Sequence, residues 1–355
     1  MARELITTVG LGLAVAAGLT LATKYEKDRT LRIETKSTVE METTSFSMER
    51  DGEPVEGRMG GGGSSSDVRT VVQLDTVLES ADGAPTKVRR VYETAEGSTS
   101  RTFGDQSSEQ ERESPFSGLE LVLTLEDGEV AVEVVDGDEP EDELLAGHRL
   151  DLALDALLPA DEVAEGDTWE LDSAAIARAL GADLDAILFP RPRVEEEPSG
   201  GGEGRGGGMR GGRGPGVFQL LVNEEWEGEA KLVSESEETD EGTGAVIEFT
   251  AECSGDVPVP EDRGGFDREL AIATALASGP VARRQNTYEI KLEGRLVFSP
   301  TEGRPIHMRA EAKIVLESHT TRTRGESEIT IDSTQEGTLA YEVTVSAEKP
   351  ADQDK

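Results

Sequence analysis

Long runs of alternating apolar and polar residues constrain the fold of this chain more than any other feature of its sequence. Successive side chains of a strand point to opposite faces, so such runs predict strands with one dry face and one wet face. Strands of this kind are typical of an antiparallel meander. The runs cover residues 68–78, 119–134, 288–298, 306–316 and 329–345.

Turn residues separate these runs. Asp127-Gly128 lies between two alternating stretches and predicts a tight hairpin, because both positions of that turn need positive φ angles. Pro300 and Gly303 mark a second turn. The sequence Gln335-Glu336-Gly337 predicts a third turn, across which residues 329–331 would pair with residues 339–345.

Helical periodicity is confined to three short segments. Ser173 caps a predicted helix that runs to residue 188, and residues 142–157 and 266–277 form two further candidates. Segregated runs of strands and helices indicate an α+β fold that is mostly antiparallel β, with a long curved meander sheet. The two β-rich halves are expected to be either related subdomains or one continuous sheet.

The chain divides into segments of different composition. Glycine-rich tracts cannot bury apolar surface and lose much backbone entropy on ordering, so residues 59–66 and 198–216 are predicted to be flexible loops. The predicted organisation is a leader (1–22), a β-rich first half with the first two helices (23–197), the Gly-rich loop (198–216), a β-rich second half (217–347) and a disordered tail (348–355).

Residues 5–22 carry no charge, which predicts a signal peptide or an N-terminal anchor. Thr20 and Ala22 are small residues that fit cleavage just before Thr23, and an uncleaved anchor is the alternative. No cysteine lies nearby, so lipid attachment at this site is excluded. We therefore expect an extracytoplasmic location: the periplasm, the cell surface or the medium.

The formal charge of -39 is spread along the chain. Such a surface repels nucleic acid and anionic lipid head groups, and it favours cations and basic partners. Arg205 and Arg210 each precede two glycines, as in RNA-binding RGG segments, but so few arginines cannot outweigh the surrounding acidity. The sequence therefore predicts no nucleic-acid partner, and membrane contact only through an uncleaved leader.

No pattern in the sequence predicts catalytic, cofactor-binding or metal-binding residues. His148, His307 and His319 lack the spacing of a zinc motif and are predicted to be ordinary surface residues. The acidic stretch 136–147 has Glu and Gly where a calcium loop needs Gly and Glu. Cys253 falls in an alternating apolar run and is predicted to be a small core residue.

Three passages carry a family resemblance. They are Leu158-Pro159 followed by Gly166-Asp167-Thr168-Trp169, the strand pair 228–234 and 245–254, and the stretch 294–305. These passages resemble uncharacterised exported bacterial proteins that are similar in outline to the periplasmic lipoprotein-carrier fold. The resemblance implies a half-barrel wrapped around a few packed helices, whose concave face takes an acyl chain or a peptide. It transfers no functional residue.

The expected function is that of an exported, non-enzymatic envelope protein that binds a lipid, another hydrophobic ligand or a peptide in a concave sheet. One alternative is a structural or adhesive surface protein, and another is a hydrolase with an unrecognised carboxylate site. Any cavity on the dry face would be lined by inward residues of the last strands: Tyr288, Ile290, Met308 and Ile314.

Overall fold

A computed structural model of the chain describes residues 18–55, 63–190, 217, 221–222, 225–240, 242–256, 281–324 and 327–348. The leader up to residue 17, the Gly-rich stretch 198–216, the predicted helix 266–277 and the tail after residue 348 lie outside these residues. No helix within the described residues is long and apolar enough to span a membrane.

Most of the described chain forms antiparallel strands. They are β1 (Thr30–Arg50), β2 (Glu53–Pro54), β3 (Gly63–Ala81), β4 (Ala84–Phe103), β5 (Gln106–Glu113), β6 (Glu120–Glu126), β7 (Glu129–Asp136), β8 (Thr168–Leu171), β9 (Glu227–Thr239), β10 (Gly242–Asp256), β11 (Val281–Ser299), β12 (Arg304–Arg324) and β13 (Ser327–Glu348). The prediction of a mostly antiparallel β fold is therefore confirmed.

Asp-Gly pairs close three of the hairpins. Asp127 and Gly128 have φ angles of 52° and 91°, and they join β6 to β7 as predicted. Asp51-Gly52 and Asp82-Gly83 also have positive φ angles, and they close β1 onto β2 and β3 onto β4. Tight turns of this kind fix the register of the strands that they connect.

The described strands form one open sheet. The last strand, β13, pairs with the first strand, β1, and this pairing joins the two β-rich halves. Its order is β7-β6-β4-β3-β1-β13-β12-β11-β10-β9-β8, with β2 and β5 attached beside β1 and β4. Of the two arrangements expected from the sequence, the continuous sheet is the one observed. The edges of this path are the short strands β7 and β8.

The predicted turn at Gln335-Glu336-Gly337 is wrong. These residues lie inside β13, which continues for 22 residues along both β1 and β12. A Cβ atom at Gly337 would lie 2.1 Å from the carbonyl oxygen of Glu40. The glycine therefore permits a close approach of β1 next to its bulge at Thr43/Ser45, which is a common role of glycine inside a strand.

The predicted loop 59–66 is shorter than expected, since Gly63 to Ser66 begin β3. Gly63 pairs with Phe103 of β4, and Ser66 pairs with both Ser100 of β4 and Glu40 of β1. Strands β1 and β4 on either side satisfy the backbone hydrogen bonds of this segment. These bonds hold it in a strand although its composition is typical of a loop.

The helices are shorter than the periodicity predicts. Residues 142–157 contain a four-residue helix, α1 (Asp142–Leu145), and a separate 3-10 helix (Ala153–Leu157). The predicted helix 173–188 is divided into α2 (Ser173–Ala179) and α3 (Ala182–Leu188) by Gly181, whose φ angle is 61°. Asp172, and not Ser173, caps α2 by accepting a 2.7 Å hydrogen bond from the Ala175 amide.

Two apolar clusters lie on one face of the sheet, which we call the inner face. The larger cluster joins strands β9 to β13 and β1 to the 3-10 helix and α2, and it includes Leu157, Ile176 and Cys253. The burial of Cys253 confirms its prediction. The smaller cluster surrounds Tyr92 and Phe116 and includes Phe189 at the end of α3.

Candidate functional site

The inner face of the last strands is closed by packing. Tyr288, Ile290, Met308 and Ile314 belong to the larger apolar cluster, and none is more than 3% exposed. Two cavities lie farther along this face, and each encloses about 70 Å³. Pockets for small molecules usually enclose roughly 300–1,000 Å³, so neither cavity has room for an acyl chain.

A band of ion pairs, which we call the polar seam, separates the two apolar clusters on the inner face. At its centre the Arg90 guanidinium donates to both Asp75 carboxylate oxygens, at 2.8 and 2.6 Å. The side chains of Arg90 and Asp75 are only 3% and 7% exposed. Around this pair lie three further ion pairs, Arg69–Asp185, Arg178–Asp151 and Arg149–Asp183.

The polar seam reverses the expected faces of β3. The alternation at 68–78 favoured Val68, Val72 and Leu74 as the dry face. These residues lie on the outer face, where Val68 is 39% exposed although Val72 is covered to 7% exposure. Gln73 and Asp75 point inward instead. An inward carboxylate is tolerated here because Arg90 neutralises it through two hydrogen bonds.

His148 is buried beside this seam, so its prediction as a surface residue is wrong. It is 3% exposed and lies 3.3 Å from the Tyr92 hydroxyl through Nδ1. Burial, with a further contribution from the charge of Arg90, lowers the pKa of His148 to about 3. The ring is therefore neutral at physiological pH, packed against Phe116. No amphipathic pattern around residue 148 signals this burial.

The other two histidines lie on the outer face of the sheet, but the His307 side chain is only 12% exposed, so its prediction as an ordinary surface residue is not confirmed. His307 Nε2 lies 2.9 Å from a Glu342 carboxylate oxygen. His319 is about half exposed, and its Nδ1 lies 2.6 Å from Asp332. Neither is part of a metal-binding group, because no cluster of three or more His, Cys, Asp or Glu side chains within the described ranges could hold a metal ion.

A buried carboxylate lies where the chain enters the fold. Asp155, in the 3-10 helix, accepts a 2.6 Å hydrogen bond from Thr23 and another from the Tyr25 hydroxyl. Burial raises the pKa of Asp155 to about 6, although these two hydrogen bonds favour its ionised form. Asp155 lines neither the inner cavities nor the open outer face, so its position indicates a structural role.

A wide concave surface lies on the opposite face of the same strands. We call it the outer groove; it encloses about 910 Å³ and adjoins a second concavity of about 530 Å³ through Thr250, Glu293 and Glu311. Its charged side chains are six glutamates and two lysines: Glu170, Glu227, Glu229, Glu252, Glu293, Glu311, Lys291 and Lys313. The groove therefore carries an excess of negative charge.

Like charges stand opposite each other across the outer groove and the concavity that adjoins it. Lys291 pairs with Lys313, Glu293 pairs with Glu311, and Arg295 pairs with Arg309 across β11 and β12. Such cross-strand pairs are unfavourable to the sheet itself. The rows alternate in sign and lie about 7 Å apart, because residues two positions apart on a strand share a face. Ion pairs with other neighbours partly offset this repulsion: Lys291 pairs with Glu289, Arg295 with Glu237 and Arg309 with Glu311.

The outer groove was not predicted, although the sequence holds a signal for it. The pattern Lys-x-Glu-x-Arg at 291–295 is reversed as Arg-x-Glu-x-Lys at 309–313. A hairpin centred near residue 302 aligns the two patterns so that like charges meet. The turn containing Gly303 could be predicted, but a bulge between Val297 and Phe298 shifts the register near it, so the pairing could not be counted from the turn alone.

Other predicted features of this region are confirmed. Gly166 has a φ angle of 97°, as a turn requires, and Trp169 packs against the larger cluster. The Trp169 indole N–H donates to the Leu157 carbonyl at 3.1 Å. The predicted pair 228–234 and 245–254 lies in β9 and β10.

Comparison with known proteins assigns no family. No family model matches the chain, and no curated protein matches it. Among solved structures, lipovitellin, in a study of its lipid–protein interactions, is 7% identical at a TM-score of 0.28, covering 93% of this chain and 26% of its own. The Pseudomonas aeruginosa outer membrane protein OprG is 7% identical at a TM-score of 0.17, covering 90% of this chain and 98% of its own. OccK7 (OpdD) of the same organism is 7% identical at a TM-score of 0.18, covering 88% and 99%.

Proposed function

We propose that this chain is an exported, non-enzymatic envelope protein that binds a basic peptide or protein segment in its outer groove. The observation that carries the proposal is the set of like-charge rows in a concave acidic surface of about 910 Å³. A cationic segment laid across β10 to β12 would add opposite charge to the Glu293–Glu311 row, in which Glu311 is already paired with Arg309. The uncharged leader supports export, and the location outside the cytoplasm belongs to the proposal.

The inner face is the less suitable site for a ligand. The half-barrel arrangement implied by the family resemblance would place the 3-10 helix and α2 on its concave side. In that arrangement the helices and the larger apolar cluster fill the space that a carrier would give to an acyl chain. A peptide on the outer face therefore has better support than a lipid on the inner face.

A binding role has more support than hydrolysis. Burial raises the pKa of Asp155, but this carboxylate is sealed against Thr23 and Tyr25 and lines neither the inner cavities nor the outer groove. A carboxylate pair for hydrolysis would need a raised pKa within a cleft.

A structural or adhesive role is the second candidate, and the far end of the sheet favours it. Beyond the helices, β1 and β4 continue with aromatic side chains in solvent: Phe46 is 42% exposed and Phe103 is 67% exposed. Exposed aromatic residues on a rigid sheet can serve as contact points. This role would use the far end of the sheet rather than the outer groove.

Binding of a fluorescent oligolysine peptide, followed by anisotropy at low salt, tests the proposal. The variant Glu293→Gln/Glu311→Gln removes one acidic row. We expect it to weaken binding several-fold, because each exposed charge contact contributes about 0.2–1 kcal/mol. The matched control is Glu129→Gln/Glu133→Gln, which removes the same charge from exposed positions of β7.

The control variant should change the affinity by less than about twofold, and added salt should weaken binding by the wild-type chain. Equal losses in the two variants would show that the peptide responds only to net charge. That result would contradict a specific site in the outer groove.

A further inference from the structure

The edges of the described sheet differ in their protection against pairing with a further strand. β5 consists of polar and charged residues alone. β8 has only four residues, and the part of β9 that extends past it, residues 234–239, has three glutamates and no apolar residue. Short or charged edge strands are a common protection against unwanted pairing. The edge strand β7 is less protected, because four of its eight residues are valines.

The backbone of β7 directs hydrogen-bonding groups away from the sheet. Asp127-Gly128 is a two-residue turn, so Glu126 and Glu129 on either side of it form a hydrogen-bonded pair. Hydrogen-bonded and non-hydrogen-bonded pairs alternate along an antiparallel ladder, so alternate residues of β7 direct their N–H and C=O groups outward. These residues are Val130, Val132 and Val134. In the described chain β7 is the last strand of the path, so no described strand takes up these groups.

The side chains along this edge differ between the two faces of the sheet. The three outward-bonding valines lie on the inner face, where they are partly buried against the smaller apolar cluster. Leu125 on β6 and Val135 on β7 are 44% and 52% exposed. Glu129 and Glu133 are exposed on the outer face. A strand laid along β7 would therefore contact apolar side chains on one face and carboxylates on the other.

We propose that β7 binds an extended segment of a partner protein as an additional antiparallel strand, with apolar residues of that segment on the inner face and basic residues on the outer face. Cross-strand pairs of opposite charge are favourable, so lysine or arginine opposite Glu129 and Glu133 suits this edge. A second copy of the chain suits it less, because it would add further glutamates and a net charge of -39. Main-chain hydrogen bonds would supply affinity, and alternate side chains specificity. β7 contributes no residue to the outer groove, so the two sites are independent.

A fluorescent peptide of four Lys-Val repeats, followed by anisotropy with the full chain, tests the proposal. In the proposed arrangement the amides of its valines point towards β7 and the amides of its lysines point away. N-methylation of the valine amides should weaken binding by roughly tenfold or more, because several main-chain hydrogen bonds are lost together. N-methylation of the lysine amides should leave the affinity almost unchanged. Equal affinities of the two methylated peptides, or a loss in the lysine-methylated peptide alone, would overturn the proposal.

Two double variants separate this site from the outer groove. Glu129→Gln/Glu133→Gln should weaken binding of the Lys-Val peptide several-fold, whereas Glu293→Gln/Glu311→Gln should change it by less than about twofold. Oligolysine should respond in the opposite way. Loss of Lys-Val binding in the outer-groove variant alone would overturn strand addition and leave the proposed function standing. The expected Lys-Val result without the expected oligolysine result would overturn only the proposed function.

A substitution in the backbone of β7 tests the same edge from the protein's side. Val132→Pro removes an outward N–H, at a kind of edge position where proline is tolerated. We expect a folded variant that has lost the Lys-Val peptide, whereas Val132→Ala, which keeps the N–H, retains most of the binding. Equal binding by the two folded variants would overturn the proposal. A wild-type dimer that Val132→Pro converts to monomer, seen by native mass spectrometry, would also overturn it and assign the edge to a second copy.

Discussion

The inner and outer faces of β10 to β12 are made from alternate residues of the same segments, yet they carry opposite chemistry. Leu292 is 3% exposed in the larger apolar cluster, while its neighbours Lys291 and Glu293 line the outer groove. The inner face satisfies its own side chains by packing. The outer face leaves like charges opposite each other. The difference teaches that apolar packing is concentrated on one face of the sheet, which leaves the other face available for the proposed binding.

The polar seam is the exception that sharpens this comparison. There the inner face holds charge as well, but in buried pairs: Asp75 meets Arg90 through two hydrogen bonds, and both side chains are less than 10% exposed. A buried ion pair contributes little relative to apolar packing, whereas breaking one leaves an uncompensated charge. Removing a charged side chain from the inner face should therefore lower the free energy of unfolding far more than removing one from the outer face.

The largest effect should come from breaking the polar seam. Asp75→Ala leaves Arg90 buried without its carboxylate, and we expect the free energy of unfolding to fall by about 3–5 kcal/mol. Urea denaturation at neutral pH measures the loss. Glu289→Ala is the control, because its ion pair with Lys291 lies outside the polar seam and both side chains are more than half exposed, at 53% and 61%. Losses of similar size in the two variants would contradict the difference between buried and exposed pairs.

The next effect compares adjacent residues on opposite faces. Leu292→Ala opens a cavity in the inner cluster and should lower the free energy of unfolding by about 2–5 kcal/mol. Glu293→Ala, one position along the same strand, should change it by no more than about 0.5 kcal/mol. Denaturant titration of both variants tests the comparison. A large loss of stability in Glu293→Ala would show that the outer face also stabilises the fold, which would contradict the account.

A third effect depends on pH. The pKa of Asp155 rises from 3.8 in the unfolded chain to about 6 in the fold because of burial. Between these values the folded state binds the extra proton, so stability from this group falls as the pH rises from about 4 to about 6. Above about pH 6 the ionised, buried Asp155 carboxylate lowers the free energy of unfolding by a constant amount of about 3 kcal/mol.

Asp155→Asn isolates this contribution from those of the other carboxylates. The difference in unfolding free energy between the variant and the wild type should move in favour of asparagine by about 3 kcal/mol across that window. Denaturation at a series of pH values measures it. A difference that does not vary with pH would show that Asp155 titrates normally.

The smallest effect concerns the like-charge rows. Lys313→Glu converts the pair with Lys291 into one of opposite charge and should raise the free energy of unfolding by about 0.2–1 kcal/mol. Arg101→Glu is the control, with the same charge change at a position that faces Ser65 and Ser108. If both variants shift stability equally, the rows carry no repulsion.

Local sequence signals predicted much of the fold. Turn chemistry predicted the hairpin at Asp127-Gly128, and alternation predicted the buried position of Cys253. The position of Trp169 beside a turn predicted that it lies in the core. Each of these features depends on residues that are near in sequence. Residues whose surroundings are distant in sequence could not be predicted. Asp75 points inward only because Arg90 lies on the next strand, and Gly337 stays inside a strand only because β1 approaches it.

The outer groove shows the same limit. Its side chains were recognisable as wet-face residues, but their grouping depends on the register of β10, β11 and β12. A one-residue shift in register would replace the like-charge rows by other pairs. The sequence supplied the charges, and the fold decides which of them meet.

Thiol labelling in the native state tests the separation of the two faces most directly. Cys253 lies on the inner face at 6% exposure, and Thr250 lies on the outer face three positions away in β10. We expect native Cys253 to resist labelling until denaturant unfolds the chain, while Thr250→Cys in a Cys253→Ser background is labelled almost as fast as unfolded protein. Rapid labelling of native Cys253, at the rate of the outer position, would mean that the inner face is open and would contradict this account.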